Sequence, residues 1–518
     1  KRLELPHSDK EEQPLHNTNT LKPIRKVDEN FFYQLAGMKN YSIPISAPGI
    51  FALWVYVEEL GLFSFLDNLG LTKYTNRQKY SWFDLLLFEI ARHFYGIQTS
   101  SASCELQCID ISLFANIYKP PCNDTLLNGL RSISEKQVFN IRHWLVDRLA
   151  QLGLSTGKYI AFDFHHIDQD VLLPELRNFG KGPSPKKKVC ATGFRPHIAW
   201  DIGDNTLLVA EFRKASARGT TTVKRFTRDY ILPTFRGLFD TVYLDSEYTG
   251  KDVWNFVLDE NDGMGAHLTA CLKQNPMVKN ARDHFLSLYV GCENFWRYYD
   301  NNHVYSDKTF EIEWEYKPEN AKKQRILKLT CVVKKHITTG RLRCFGSSKK
   351  NVTAKQILKD YSSRWVIENG IKDLIGSYFL DKCPGTDPHL VDIHFLIVTV
   401  CKILFRMVER DLKQHISNPD GSVKTLSRMR DILFRTGAAS IKIQHNEFLV
   451  KYANSFSIPI TTTLNEWNKL LNKRQGEGLE ILGGMKINFD LKIPVGAERR
   501  NSEKKVPISD LKNFKPAW

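Results

Sequence analysis

The sequence has no long apolar run that is free of charge. Its two most apolar stretches, 50–66 and 390–408, are broken by ionisable residues such as Glu58 and Lys402. A helix that spans a membrane needs about 20 predominantly apolar residues, so we interpret both stretches as core helices and expect no membrane partner. The first twenty residues also lack an apolar segment, and we therefore expect no secretory signal there.

Cysteine is sparse, with ten residues in a chain of 518, and only Cys104 and Cys108 lie close together in sequence. Secreted domains stapled by disulfides are small and dense in cysteine, so this class is excluded and we expect a reducing, cytoplasmic compartment. A zinc site would need Cys104, Cys108, Cys122 and His93 to converge, but the usual C-x-x-C knuckle is absent. Single buried thiols are the simpler interpretation.

Acidic residues are outnumbered, because 57 Asp and Glu stand against 73 Lys and Arg, for a formal net charge of +16. With 42% hydrophobic and 25% charged residues, the composition excludes a disordered or collagen-like chain. The length of 518 residues allows several domains and a large core. The excess of positive charge indicates a polyanionic partner.

The first part of the chain is predicted to be helical. Residues 1–29 are expected to form a polar, flexible tail, whereas residues 30–150 carry apolar residues at helical spacing. Ser134 and Gln137 have the spacing of a capping box, which predicts two short helices joined by a turn. Such a pair suits a nucleic-acid-binding unit and an ordinary helical bundle equally well.

Strand patterns begin at Tyr159. Residues 151–276 alternate short strands with helices, which predicts an α/β fold. The strand-like runs in this segment are YIAFDF, RPHIAWD, TLLVAEF, TVYLDSEY and AHLTACL. Residues 277–350 contain polar-faced strands, which predicts a β-rich insertion. Thr353 and Gln356 form a second capping box at the start of segment 351–412, and residues 413–518 form a mixed C-terminal region.

Three acidic residues lie at positions where we do not expect water to solvate their carboxylates. Asp163 lies inside the apolar run YIAFDF, Asp245 ends the strand in TVYLDSEY, and Glu368 lies in the helix that begins at Thr353. A buried carboxylate without a partner costs several kcal/mol, so we expect a metal ion or another cation beside these acids. Other acids nearby fall in loops or turns, where solvated acids are ordinary: Asp168, Asp170, Asp201 and Glu247.

The predicted helix around Glu368 carries a distinctive set of side chains. In YSSRWVIENGIK, Tyr361, Arg364, Glu368 and Lys372 recur at offsets of three and four residues, which stacks them on one helical face. A phenol, a guanidinium, a carboxylate and an ammonium group would then project together. The alternative for Arg364 and Glu368 is a surface ion pair.

In this order of elements and motifs the chain resembles the DDE transposases, and in particular the insertion-sequence branch with its Tyr-Arg-Glu-Lys signature. Tyr361, Arg364 and Glu368 match that signature, and DFHHID and YLDSEY look like the segments that carry the first two acids. The signature lysine would fall at Ile375, with Lys372 one turn earlier. The resemblance covers about 159–376 and implies an RNase H-like catalytic core, 151–276 and 351–412, interrupted by the insertion.

The resemblance also implies a chemistry. Asp163, Asp245 and Glu368 would be the catalytic residues and would hold two Mg²⁺ or Mn²⁺ ions, which prefer hard oxygen ligands. The reaction would be cleavage at the ends of a DNA element followed by transfer of the 3′-OH into target DNA, performed by a homodimer on the nucleoid. Segment 30–150 would bind the DNA ends, and segment 413–518 is a candidate for dimerisation or DNA contact.

Several side chains are candidates for contact with double-stranded DNA, both terminal inverted repeats and target. Arg364 offers a bidentate fork for a phosphate, and an aromatic of the insertion is expected to hold a base. The full set of candidates is Tyr361, Arg364, Lys372, Trp296, Trp314, Lys186, Lys187 and Lys188. Core packing is the alternative for each tryptophan, and simple solvation is the alternative for the lysines.

Two other functions compete with a transposase. An RNase H-like nuclease or resolvase would cleave DNA with the same acids but would not join it. A domesticated, catalytically idle protein would only bind DNA. The three acids argue against the idle protein, whereas the displaced lysine of the signature keeps that alternative open.

Overall fold

The computed structural model describes residues 43–73, 79–106, 108–117, 120–168, 180–183, 190–316, 324–417, 424–435, 439–444, 447–452 and 458–491. The predicted tail, 1–29, lies outside these residues. So do Lys186, Lys187 and Lys188, the basic candidates for DNA contact.

The N-terminal part is helical, as its apolar spacing predicts. Its elements are β1 (Ile43–Ile45), α1 (Leu53–Leu60), α2 (Leu62–Asn68), α3 (Trp82–Tyr95), α4 (Ser100–Glu105), α5 (Ile109–Phe114), α6 (Asn123–Arg131) and α7 (Glu135–Gln151). The predicted capping box at α7 is confirmed, because Ser134 Oγ accepts from the backbone N–H of Gln137 and the Gln137 side chain accepts from the backbone N–H of Ser134.

The middle of the chain supplies most strands. They are β2 (Tyr159–Phe164), β3 (Ile167–Asp168), β4 (Lys181–Pro183), β5 (Cys190–Phe194), β6 (His197–Asp201), β7 (Thr206–Glu211), β8 (Thr241–Leu244), β9 (His267–Leu272), β10 (Trp296–Asp300), β11 (His303–Ser306), β12 (Phe310–Tyr316), β13 (Arg325–His336) and β14 (Leu342–Ser347). The five predicted strand runs correspond to β2, β6, β7, β8 and β9.

These strands build a ten-stranded sheet in the order β7-β6-β2-β8-β9-β14-β13-β11-β10, with β12 paired to β13. Strands β2, β6 and β7 form an antiparallel meander. Strands β8 and β9 run parallel to β2 on its other side. The carboxyl ends of β2 and β8 therefore meet at one edge of the sheet.

The helices of this part of the chain lie between the strands from β7 to β10 and after β14. They are α8 (Gly219–Phe226), α9 (Leu232–Phe235), α10 (Lys251–Leu258), α11 (Pro276–Ser287), α12 (Ala354–Ser362), α13 (Trp365–Tyr378) and α14 (Pro388–Ile416). Helix α14 is the predicted core helix and buries most of its residues. No single helix in the described segments is long and apolar enough to cross a membrane, although one bent pair, Pro48–Leu60 with Leu62–Asn68, meets the length and composition requirement jointly.

The segment predicted as a β-rich insertion continues the main sheet. After α11, it contributes β10 to β14, and β14 pairs antiparallel with β9, so that Phe345 lies opposite Cys271. The insertion therefore does not fold on a sheet of its own. This pairing brings its side chains to the edge at which β2 and β8 end.

The C-terminal region packs against the N-terminal helices. Its elements are α15 (Leu426–Met429), β15 (Ala439–Gln444), β16 (Glu447–Tyr452), α16 (Ile458–Arg474) and β17 (Lys486–Asp490). β1 joins this second sheet beside β15, and the Trp467 indole N–H donates to Tyr56 Oη at 2.8 Å. The described residues of segments 30–150 and 413–518, which lie far apart in sequence, therefore share one core.

Candidate active site

Two of the predicted acids lie side by side because two parallel strands end together. In β2 and β8 the register pairs Phe162 with Leu244, and Asp163 and Asp245 each follow their partner residue by one position. Adjacent strands lie about 4.8 Å apart. The meander and the parallel strand thus bring two carboxylates to one edge, although 81 residues lie between them in sequence.

The third acid, Glu368, lies on a helix that is shorter than predicted. The sequence predicts one continuous helix through Tyr361 and Glu368, but α12 ends at Ser362 and α13 begins at Trp365. Arg364 lies at the junction with right-handed helical dihedrals. Because the break is only a turn, the side chains on its two sides still converge.

Arg364 links the acids directly. Its Nη1 donates to Asp163 Oδ2 at 2.8 Å, and its Nη2 donates to Glu368 Oε1. The hydroxyl of Tyr361 donates to Asp245 Oδ1 at 3.4 Å. Arg364 is only 7% exposed, which excludes the alternative of a surface ion pair with Glu368.

Burial sets the electrostatics of this cluster. It raises the pKa of the Asp163 carboxyl to about 6, even though the Arg364 guanidinium acts in the opposite direction. Burial also raises the pKa of the Tyr361 phenol above its ordinary value, so that Tyr361 stays a hydrogen-bond donor at neutral pH. A bound cation would favour the ionised form of Asp163.

A cavity of about 550 Å³ opens beside this cluster. The acids Asp245 and Glu368 line it, and so does Trp365, which is 61% exposed. Trp365 was not among the residues predicted from the sequence. Its position directly after Arg364 in the motif is the signal that could have pointed to it.

Basic side chains also line the cavity, one from the residue after β9 and three from the segment β10–β14: Lys273, Lys334, Arg341 and Arg343. Lys334 in β13 pairs with Asp300 at 3.4 Å and lies 4.0 Å from the ring centroid of Tyr299. Lys273, Arg341 and Arg343 are exposed, and no carboxylate in the described ranges forms an ion pair with them. The sequence did not point to Lys334, Arg341 and Arg343, because only the pairing of β14 with β9 brings them here.

The remaining candidates for DNA contact lie elsewhere. Lys372 Nζ lies 5.2 Å from the ring centroid of Trp365, outside the cavity lining. The side chain of Ile375 packs against the core. Trp296 begins β10 and is half-buried, with Lys335 Nζ 5.4 Å from its ring.

Trp314 is a core residue, which corrects its prediction as a DNA contact. It is 5% exposed. Its indole N–H donates to Asn255 Oδ1 at 2.8 Å, and its ring packs against Trp254. The alternative of core packing is therefore the right one for this residue.

Several rival acids have structural partners. The carboxylate of Asp201 accepts from Ser155 Oγ at 2.7 Å and from the Gly157 backbone N–H at 2.8 Å, which ties the end of β6 to a turn. Glu247 pairs with Arg195 at 3.3 Å. Asp168 lies 3.0 Å from His166 Nε2. Asp170 lies outside the described residues.

The donors at the site suit a hard divalent cation, because Asp163, Asp245 and Glu368 offer carboxylate oxygens. The guanidinium of Arg364 already occupies the space between Asp163 and Glu368, so the field there favours a positive charge. Across the described ranges, no three acidic, histidine or cysteine side chains are arranged to hold a metal ion. Asp163, Asp245 and Glu368 are the carboxylates that would hold such an ion.

Comparison with known proteins adds a family resemblance. Residues 175–404 match the model of the transposase DDE domain. This span contains Asp245, Glu368 and the Tyr-Arg-Glu motif, begins after Asp163 and covers less than half of the chain. A cryo-EM structure of a piggyBac transposase synaptic complex with hairpin DNA is 12% identical, with a TM-score of 0.37, and the alignment covers 84% of each chain. No curated protein matches the sequence.

Proposed function

We propose that this protein is a DDE transposase of the insertion-sequence branch, which cleaves DNA at the ends of an element and joins the freed 3′-OH to target DNA. One observation carries the proposal: Asp163, Asp245 and Glu368 converge around Tyr361 and Arg364 at the edge of the sheet. The match of residues 175–404 to the transposase DDE domain supports it from the sequence side.

The strand order supports an RNase H-like core within this proposal. The segment β7-β6-β2-β8-β9 combines an antiparallel meander with two strands parallel to its first strand. In open sheets of this kind, ligands bind outside the carboxyl ends of the strands. The extension β10–β14 joins this core at β9 and would be the insertion.

The acids would hold the metal, and the other side chains would handle the DNA. Asp163, Asp245 and Glu368 would bind Mg²⁺ or Mn²⁺, which when bound activates the attacking oxygen and neutralises the leaving oxygen of a phosphodiester. Arg364 would turn its fork from the carboxylates to a phosphate, since guanidinium groups bind both in the same bidentate way. Tyr361 would stay protonated and fix the orientation of Asp245.

The charge of the cavity wall supports a nucleic-acid substrate. Lys273, Arg341 and Arg343 are exposed beside the carboxylates. Exposed cations gathered at one wall create a positive potential that attracts phosphates, and phosphates that bind there release counterions from the DNA. A small neutral substrate would gain nothing from this potential.

The test is a product analysis. A labelled duplex that carries the DNA flanking the gene is incubated with the protein, a target plasmid and Mg²⁺, and the products are separated on a denaturing gel. A transposase yields cleaved ends together with molecules joined to the plasmid. A nuclease or resolvase yields only cleaved ends, and an idle DNA-binding protein yields a shifted band without cleavage. The proposal also includes a homodimer that pairs two ends, which a synaptic complex of two duplexes and two chains would support.

A further inference from the structure

A partly buried carboxylate outside the acidic cluster ties α12 to the sheet. Asp360, the residue before Tyr361, accepts from Tyr243 Oη at 2.9 Å, from Thr269 Oγ1 at 3.0 Å and from Lys349 Nζ at 3.2 Å. These donors come from β8, from β9 and from the segment after β14. One side chain thus connects the C-terminal end of α12 to three neighbouring parts of the sheet.

This connection lies one step away from the candidate active site. Tyr243 and Asp245 are two residues apart at the end of β8, and Asp360 and Tyr361 are consecutive on α12. The contact from Tyr243 to Asp360 and the contact from Tyr361 to Asp245 are therefore successive links between the same helix and the same strand. The contact between Tyr243 and Asp360 therefore constrains the distance between Tyr361 and Asp245.

Apolar packing alone would not fix this distance. Around Tyr361, α12 contacts the sheet through Ile357, Leu358, Val332 and Phe345, and such contacts are not directional. A carboxylate with three donors is directional, because each hydrogen bond prefers one distance and one angle. Tyr243 is 3% exposed and Thr269 is fully buried, so water does not replace either donor without cost.

We propose that Asp360 is a positioning residue, which sets the height of α12 over β8 and thereby aligns Tyr361 with Asp245. The inference deepens the proposed function and rests on it. Asp360 does not touch the reacting groups itself and acts through Tyr361.

The test compares two carboxylates that have similar structural roles. Asp360→Asn weakens the network at the site, whereas Asp373→Asn weakens a buried ion pair with Lys402, at 3.0 Å, away from the cavity. We expect both variants to lower the thermal unfolding midpoint. Only Asp360→Asn is expected to slow single-turnover DNA cleavage at saturating DNA, by about 100-fold, since a misplacement of about 1 Å has effects of that size. DNA affinity is expected to remain within about threefold of wild type.

A double variant separates positioning from loss of stability. If Asp360 acts through Tyr361, adding Asp360→Asn to Tyr361→Phe slows cleavage by no more than about threefold, because the phenol to be positioned is already absent. A purely structural role predicts the same fold-loss in both backgrounds. An equal fold-loss in the Tyr361→Phe background, or an equal effect of Asp373→Asn, would overturn the inference.

A second readout does not require catalysis. With 3-fluorotyrosine at position 361, the ¹⁹F resonance is expected to shift in Asp360→Asn and to stay in place in Asp373→Asn. A wild-type protein that cleaves no DNA contradicts the proposed function, and the ¹⁹F shift then still decides on Asp360. An unchanged ¹⁹F resonance in Asp360→Asn contradicts the positioning role even if the wild type is active.

Discussion

At the residue scale, the acidic cluster depends on one buried cation. Arg364 bonds both Asp163 and Glu368, and it offsets the repulsion between carboxylates that would otherwise face each other. Its side chain is 9% exposed, so water screens this attraction little. The group that holds the acids together is therefore one that also suits a DNA phosphate.

The first prediction concerns the acids. We expect Asp163→Ala, Asp245→Ala and Glu368→Ala each to reduce DNA cleavage in Mg²⁺ by about 100-fold or more, because each removes a proposed metal ligand and loss of outer ligands alone costs about 10–100-fold. DNA binding by gel shift in EDTA should persist. Glu247→Ala, a change at an acid paired with Arg195, is the control and should stay within about threefold of wild type. Full cleavage by any of the three variants would remove that residue from the site.

Sequence predicts the motif residues but not their surroundings. The offsets between Tyr361, Arg364 and Glu368 predict that their side chains point to the same site. The side chains do converge there, although α12 and α13 are separate helices. The burial of Trp314 was predictable from the sequence. Ile312, Trp314 and Tyr316 alternate with glutamates along β12, and this pattern indicates that they share a buried face of the strand. Arg341 and Arg343 were not predictable, because a distant strand pairing brings them to the cavity.

At the element scale, the approach of α13 to the sheet depends on one glycine. A Cβ atom on Gly370 would lie 2.6 Å from the ring of Trp200 in β6. Gly370 follows Glu368 by two residues, so the close approach of α13 to β6 also sets how near Glu368 lies to the sheet. By contrast, a Cβ on Gly376 in the same helix meets nothing within 4 Å.

The second prediction uses this pair of glycines. Gly370→Ala should lower the free energy of unfolding by about 2 kcal/mol, as overpacking of a close contact does, and should slow cleavage. Gly376→Ala should raise the free energy of unfolding by up to about 1 kcal/mol, because alanine is the better helix former. Urea titrations of both variants measure these changes. Equal effects of the two substitutions would contradict the account.

The third prediction concerns the contact between α3 and α14. Burial, with Arg92 nearby, lowers the pKa of His394 to about 3, and its Nε2–H donates to the Phe379 carbonyl at 3.2 Å. Because the folded pKa lies below that of an unfolded histidine, the stabilisation is present above about pH 6.5 and is lost as pH falls below it. Between pH 7 and pH 5 the loss should be about 2 kcal/mol for this residue.

Urea unfolding at the two pH values measures this loss. His394→Gln keeps an N–H donor without a titratable ring, so its free energy of unfolding should fall less than that of the wild type over the same interval. Equal falls in the two proteins would show that His394 does not titrate on unfolding.

At the scale of the whole molecule, two features were beyond sequence reasoning. The three-residue strand β1 pairs with β15 across nearly 400 residues, and Arg474 pairs with Glu59 and Asp411 at the same interface. Local patterns predict each helix and strand but not a partner so far along the chain. Which segments form strands and which form helices was predictable, because the hydrophobic periodicity that distinguishes them is a local property of the sequence.

The fourth prediction concerns the net charge of +16. The triple variant Lys273→Gln, Arg341→Gln, Arg343→Gln should bind duplex DNA more weakly in EDTA. The slope of log affinity against log salt should become shallower by about 0.9 for each phosphate that the variant no longer neutralises. Lys328→Gln, at a lysine on β13 that already pairs with Glu311 and Glu313, should leave the slope unchanged. An unchanged slope in the triple variant would show that the cavity wall does not meet DNA.

The most direct test of the central claim is a joining assay with DNA that flanks the gene. Wild-type protein, the labelled duplex, a target plasmid and Mg²⁺ are combined, and Asp163→Ala serves as the matched control. We expect labelled DNA to be covalently joined to the plasmid with wild-type protein, and no joined product with the variant or in EDTA. Joining that persists in Asp163→Ala would contradict the assigned site, and cleavage by the wild type without any joined product would contradict a transposase.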